Sequence, residues 1–138
     1  MGYADKIKNV LVAAQCDPVA LPDKEVWEWQ QRWRSVYAGQ LHAETGKWVD
    51  DTYDWHVFYR RRHVHKHGDG AWAAYRRVEP GPFLVLSAYI HKTFGFTCTG
   101  KPPERLDRGI DLVVAPPSME WTMAFDHEHY GPFWAVNR

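Results

Sequence analysis

The sequence predicts an α+β fold: a single domain over residues 1–138, with an antiparallel or mixed sheet of about five strands and two or three helices covering one face. Three observations carry that expectation. As far as Tyr37, apolar residues recur at three- and four-residue steps, the period of a helix docking one side on a core. From Pro82 onward the chain changes to short runs rich in β-branched and aromatic residues, bounded by proline and glycine, as strands with short links would be. The length of 138 residues suits one core, since a chain of this size buries about two-thirds of its unfolded surface.

Ala4 to Gln15 reads as a helix with Ile7, Val10, Leu11 and Ala14 on one side. Pro18 and Pro22 then interrupt it, because each proline drives its predecessor out of the helical region, and residues 1–22 are expected to form a loosely docked helix and linker. Asp23 suits a helix N-cap and Glu25 the first turn, where a carboxylate meets the positive end of the helix dipole. Val26, Trp29, Trp33, Val36 and Tyr37 form the apolar stripe of that second helix, and Trp27 falls off it. Gly39 to Asp51 reads as a loop.

The aromatic run Trp55 to Tyr59 suits a pleated surface, so a strand is expected from Tyr53 to Arg61. Ala71 to Arg77 forms a third helix that stops before Pro80. Phe83 to Ile90 is the most hydrophobic run and the expected central strand. Phe94 to Thr99, Ile110 to Ala115, Glu120 to Asp126 and Phe133 to Val136 are further extended segments. Alternation along the Glu120 segment puts Trp121, Met123, Phe125 and His127 on one side and Thr122, Ala124, Asp126 and Glu128 on the other.

Composition narrows the function. Seventeen basic residues balance seventeen acidic ones, so no global field steers the molecule to nucleic acid or an anionic membrane. No apolar run reaches membrane-spanning length. Cys16 and Cys98 have neither CxxC nor zinc-type spacing, which points to a reduced, cytoplasmic protein. There is no glycine-rich phosphate loop, and Ser87, Cys98 and Ser118 lie in no nucleophile motif. No cofactor is expected.

Chemistry concentrates in H-E-H, His127 to His129. His127 and Glu128 are candidates for acid–base work, because imidazole titrates near neutrality and a partly buried carboxylate shifts upward. His127 and His129 on a continuing strand would make a spaced metal pair, with His56 as a further donor, although a metal site is not the favoured reading. The one strongly basic run, Arg60, Arg61 and Arg62 leading into His63, His65 and His67, could meet an acidic partner or, with Tyr59 and Trp72 nearby, a single strand. Eight tryptophans exceed what one small core needs, so Trp27, Trp48, Trp72 and Trp134 join the arginines as candidate contacts.

The segments D-W-H-V-F at Asp54 to Phe58, D-L-V-V-x-P at Asp111 to Pro116, and W-T-M-A-F-D-H-E followed by G-P-F at Trp121 to Phe133 resemble those of a group of small bacterial proteins classed as a domain of unknown function. The likeness spans roughly residues 50 to 136 and implies a bacterial, cytoplasmic α+β domain without naming a catalytic residue. His129 and the Arg60 to His67 run depart from that pattern. The expectation is therefore a non-enzymatic binding protein, of the kind that includes toxin-neutralising immunity proteins, whose partner is a toxin or another acidic protein surface rather than a membrane or nucleic acid. The alternatives are a small metal-dependent or acid–base hydrolase using the His/Glu cluster, and a single-stranded nucleic-acid binder.

Overall fold

A computed structural model describes residues 2–38, 53–59, 63–89 and 92–137. Along the chain these form α1 (Tyr3–Ala13), β1 (Val19–Ala20), α2 (Asp23–Tyr37), α3 (His56–Tyr59), β2 (Lys66–His67), α4 (Asp69–Arg76), β3 (Phe83–Ser87), β4 (Gly95–Cys98), a 3-10 turn (Glu104–Leu106), β5 (Leu112–Ala115), β6 (Trp121–Phe125) and β7 (Phe133–Val136). The strands make one antiparallel sheet in the order β1-β4-β3-β5-β6-β7-β2. The α+β class and the antiparallel sheet agree with the sequence reading.

Among the described residues the sheet has seven strands rather than about five, and the helices number four rather than two or three. The two unforeseen strands, β1 and β2, are two residues each and sit at the edges, too short to leave a periodic signature. Helices cover both faces rather than one. Ile7 and Leu11 of α1 and Ala71 and Tyr75 of α4 pack with Val85, Leu112, Val114, Met123 and Phe125 on one side. Trp33 and Tyr37 of α2 and Val57 and Phe58 of α3 pack with Leu84, Leu86, Val113 and Ala124 on the other. This accounts for the unbroken apolar runs of β3 and β5: alternate side chains enter different cores, so neither face can be polar. Nor is α1 loosely docked, because Ile7 and Leu11 expose no surface.

The expected strand from Tyr53 to Arg61 is also corrected over its described residues, 53–59. Tyr53 makes a single bridge to Tyr89, and His56–Tyr59 is one turn of helix. Strand alternation would bury every other residue, whereas Trp55, Val57 and Phe58 are all buried, an arrangement the helical turn permits.

The α2 face is joined to the sheet by three polar contacts as well as by packing. Gln30 Nε2 donates to the Ser87 carbonyl at 3.0 Å, Trp33 Nε1 to Thr122 Oγ1 at 2.8 Å, and the Tyr37 hydroxyl to the Met119 carbonyl at 2.8 Å. Thr122 passes its own proton to the Val114 carbonyl at 3.0 Å. Each of these buried groups would cost about 1–3 kcal/mol if left unpaired, so together they fix where α2 sits along the strands.

Candidate functional site

The polar chemistry of the described residues gathers at one end of the sheet, where β3 and β6 finish and β5 and β7 begin. Asp111 immediately precedes β5 and is the hub. Trp55 Nε1 donates to its Oδ1 at 2.8 Å, the His127 backbone N–H donates to the same oxygen at 3.1 Å, and His127 Nδ1 lies 2.9 Å from Oδ1 and 3.2 Å from Oδ2. Facing a carboxylate, Nδ1 carries the proton, which leaves Nε2 as the outward nitrogen. That nitrogen lies 3.4 Å from Glu128 Oε1. The Asp111 hydrogen bond, opposed by partial burial, raises the His127 imidazole above its ordinary value of 6.5.

His127 is in a turn, not on the strand, because β6 ends at Phe125. Asp126 shapes that turn: its Oδ2 accepts the Tyr130 N–H at 2.7 Å and its Oδ1 accepts the Gly131 N–H at 2.9 Å. His129 adopts a left-handed φ of 58°. The turn overrides the expected alternation, so Glu128 meets the His127 ring instead of pointing to the opposite face, and no continuing strand pairs His127 with His129.

Aromatic rings surround the hub. Tyr53 stacks on Trp55 at 5.4 Å and on Tyr89 at 4.9 Å, and lies 5.1 Å from His56 and 5.0 Å from His127. Trp55 is buried and stacks on Phe133 at 6.1 Å with an interplanar angle of 10°. Outside this layer Tyr59 and Tyr130 stack on each other, centroids 4.6 Å apart at 14°, each 47 % exposed. A hydrogen bond with Glu128 raises the Tyr130 phenol above its ordinary range. A small recess of about 180 Å³ beside the pair is lined by Phe58, Phe133, His65 and His67 as well as by the two tyrosines.

No protein family, curated protein or solved structure matches this chain. The function must be argued from the site itself.

Of the residues singled out from the sequence, His56, His127 and Glu128 are brought together around Tyr53. His129 departs with the turn and interacts with Asp107. The described contact residues, Trp27, Trp72 and Trp134, lie on three different elements. Trp27 is 60 % exposed on α2. Trp72 is half-buried against Phe125 beneath the Arg76 guanidinium, and Trp134 is half-buried and stacked on Trp121 at 5.2 Å. Trp48, Arg60, Arg61 and Arg62 lie outside the described residues. Among the described residues no group of three or more His, Cys, Asp or Glu is placed to hold a metal ion, and no helix is long and apolar enough to cross a membrane.

Asp111, Tyr53 and Tyr130 carry no site signal in the sequence, and Tyr59 stands out there only as a ring beside the basic run. The nucleophile candidates are elsewhere engaged or exposed. The single Ser87 hydroxyl proton lies between the Lys92 and Tyr89 carbonyls, and burial pushes the Cys98 thiol up to about 12, far from a reactive thiolate. Ser118 lies on the surface beyond β5.

Proposed function

We propose that this chain is a non-enzymatic binding protein that grips a protein partner through the Tyr59–Tyr130 face, in the manner of an immunity protein occluding a toxin. The observation that carries the reading is the exposed, stacked tyrosine pair on a base fixed by buried hydrogen bonds. Tyrosine supplies large contact area at low conformational cost and is enriched among residues that dominate binding energy. Rigid support lowers the ordering cost of association further, because Trp55 and Phe133 already hold the layer beneath. Glu128 at the rim gives the face an acidic group for orienting a partner. A bacterial origin follows from the sequence resemblance and belongs to the same proposal.

The test is capture of a partner from the native host, followed by binding of the purified pair. The double variant Tyr59→Ala/Tyr130→Ala should weaken that purified complex by about 2 kcal/mol or more while unfolding at nearly the wild-type denaturant midpoint. Unchanged affinity in a folded double variant would discard this face.

A second reading rests on the Asp111–His127 pair, which has the orientation of a carboxylate-supported general acid or base. Its outward Nε2 meets Glu128 rather than a serine or cysteine, so the chemistry available is proton transfer to a bound substrate or water. A hydrolytic activity screen in which His127→Ala and Glu128→Ala leave all turnover intact would remove this alternative.

A further inference from the structure

A second groove, of about 430 Å³, lies on the α1 face of the sheet, opposite the face that α3 covers. Val10 and Ala13 of α1 and Ala14 just beyond it form the apolar wall with Pro103, and Arg105 and Arg108 stand over it. Both arginines are exposed, and among the described residues no hydrogen bond or ion pair reaches either guanidinium. The carboxylates nearest in sequence are committed elsewhere. Glu104 accepts from Arg76 at 2.8 and 3.1 Å, and Asp107 is attracted to His129 and repelled by Asp126.

We propose that this groove binds a small organic oxyanion, a carboxylate or phosphate monoester carrying a compact apolar body. Two like charges three positions apart, neither hydrogen-bonded nor ion-paired to a carboxylate among the described residues, leave a local positive field that an oxyanion relieves. A guanidinium offers a planar fork of donors matched to two oxygens of a carboxylate or phosphate. The apolar wall gives a hydrocarbon or aryl portion somewhere to leave water, which distinguishes the site from a bare charge pair. The site is independent of the Tyr59–Tyr130 face, so its failure leaves that proposal standing.

Isothermal titration calorimetry on the full chain, with phenyl phosphate, phenylacetate and inorganic phosphate as probes, tests both halves of the argument. The expected result is saturable binding of one aryl probe at least about tenfold tighter than inorganic phosphate, because only the aryl probes can use the apolar wall. The choice between phenyl phosphate and phenylacetate identifies the head group. Arg105→Ala/Arg108→Ala should weaken the aryl probe by roughly tenfold or more, with unfolding unchanged as for other exposed positions. Ala13→Phe, which fills the groove without removing charge, should block it too. Equal weak binding of all three probes, no saturable binding, or undiminished binding by the folded variants would overturn the proposal. So would a double variant that loses helix stability while the wild type binds nothing, since the arginines would then merely complement the carbonyl end of α1.

Discussion

Two buried carboxylates do different work: Asp111, bonded to the Trp55 indole, and Asp54, next to Trp55 in the chain. Asp111 is an acceptor for three donors, and Asp111→Ala would leave the Trp55 and His127 N–H groups unpaired; we expect a loss of about 3 kcal/mol in urea unfolding, with Asp111→Asn milder because one acceptor oxygen remains. His127 supplies a pH signature. Its folded pKa is raised above the ordinary 6.5, so the stability from its pairing is full below 6.5 and lost as pH rises through the folded value. An NMR titration of the imidazole should have its midpoint above 6.5 and move down in Asp111→Asn.

Asp54 is the other case. It pairs with Arg34 at 2.9 Å, yet complete burial outweighs that attraction and pushes its carboxyl up to about 6 from 3.8. A raised folded value means its contribution is fully present below 3.8 and declines as pH rises to about 6. Arg34→Met removes the counter-charge and should cost about 3 kcal/mol, more at about pH 8 than at about pH 5, where Asp54 can take up a proton. Urea unfolding at both pH values measures the difference; an equal cost would contradict the upward shift.

Among the elements, α2 shows what periodicity reveals and what it hides. The stripe of Val26, Trp33 and Tyr37 was legible, because apolar spacing reports a buried helix face. Gln30 was not, since a polar residue within the stripe reads as surface until its carbonyl partner at Ser87 is known. The same interface predicts two costs. Thr122→Val removes the acceptor of the Trp33 indole and should destabilise by about 1–3 kcal/mol. Gly95→Val should cost a similar amount, about 1–3 kcal/mol, through crowding: a Cβ there already stands 3.0 Å from Leu86 Cδ2 and 3.1 Å from Val26 Cγ2, so a larger side chain pushes α2 from the sheet. Denaturant midpoints of the two variants check both.

Across the whole molecule, segments closed by proline or glycine were readable from the chain: β3 to β7 lie within the expected runs, and α4 overlaps its expected span closely. What stayed hidden depends on distance. Trp55 is 56 positions and His127 16 positions from Asp111, and neither helical nor strand spacing links them. Coverage of the second face was hidden for the same reason: an apolar run such as Phe83 to Leu86 is equally compatible with one covered face or two until the helices are placed. The sheet ends on two-residue strands, one bearing the charged Lys66, which leaves little edge for unwanted strand addition.

The bond from Trp55 to Asp111 also makes one of the eight tryptophans a reporter. Its ring proton is shared with a carboxylate that also holds an imidazole, so its magnetic resonance frequency should respond when His127 gains or loses charge. A partner settling on the outer tyrosines would perturb the same signal through the tilted ring contact, 6.1 Å between centroids, that joins Tyr130 to Trp55. The molecule thus carries an internal spectroscopic probe of occupancy that needs no label.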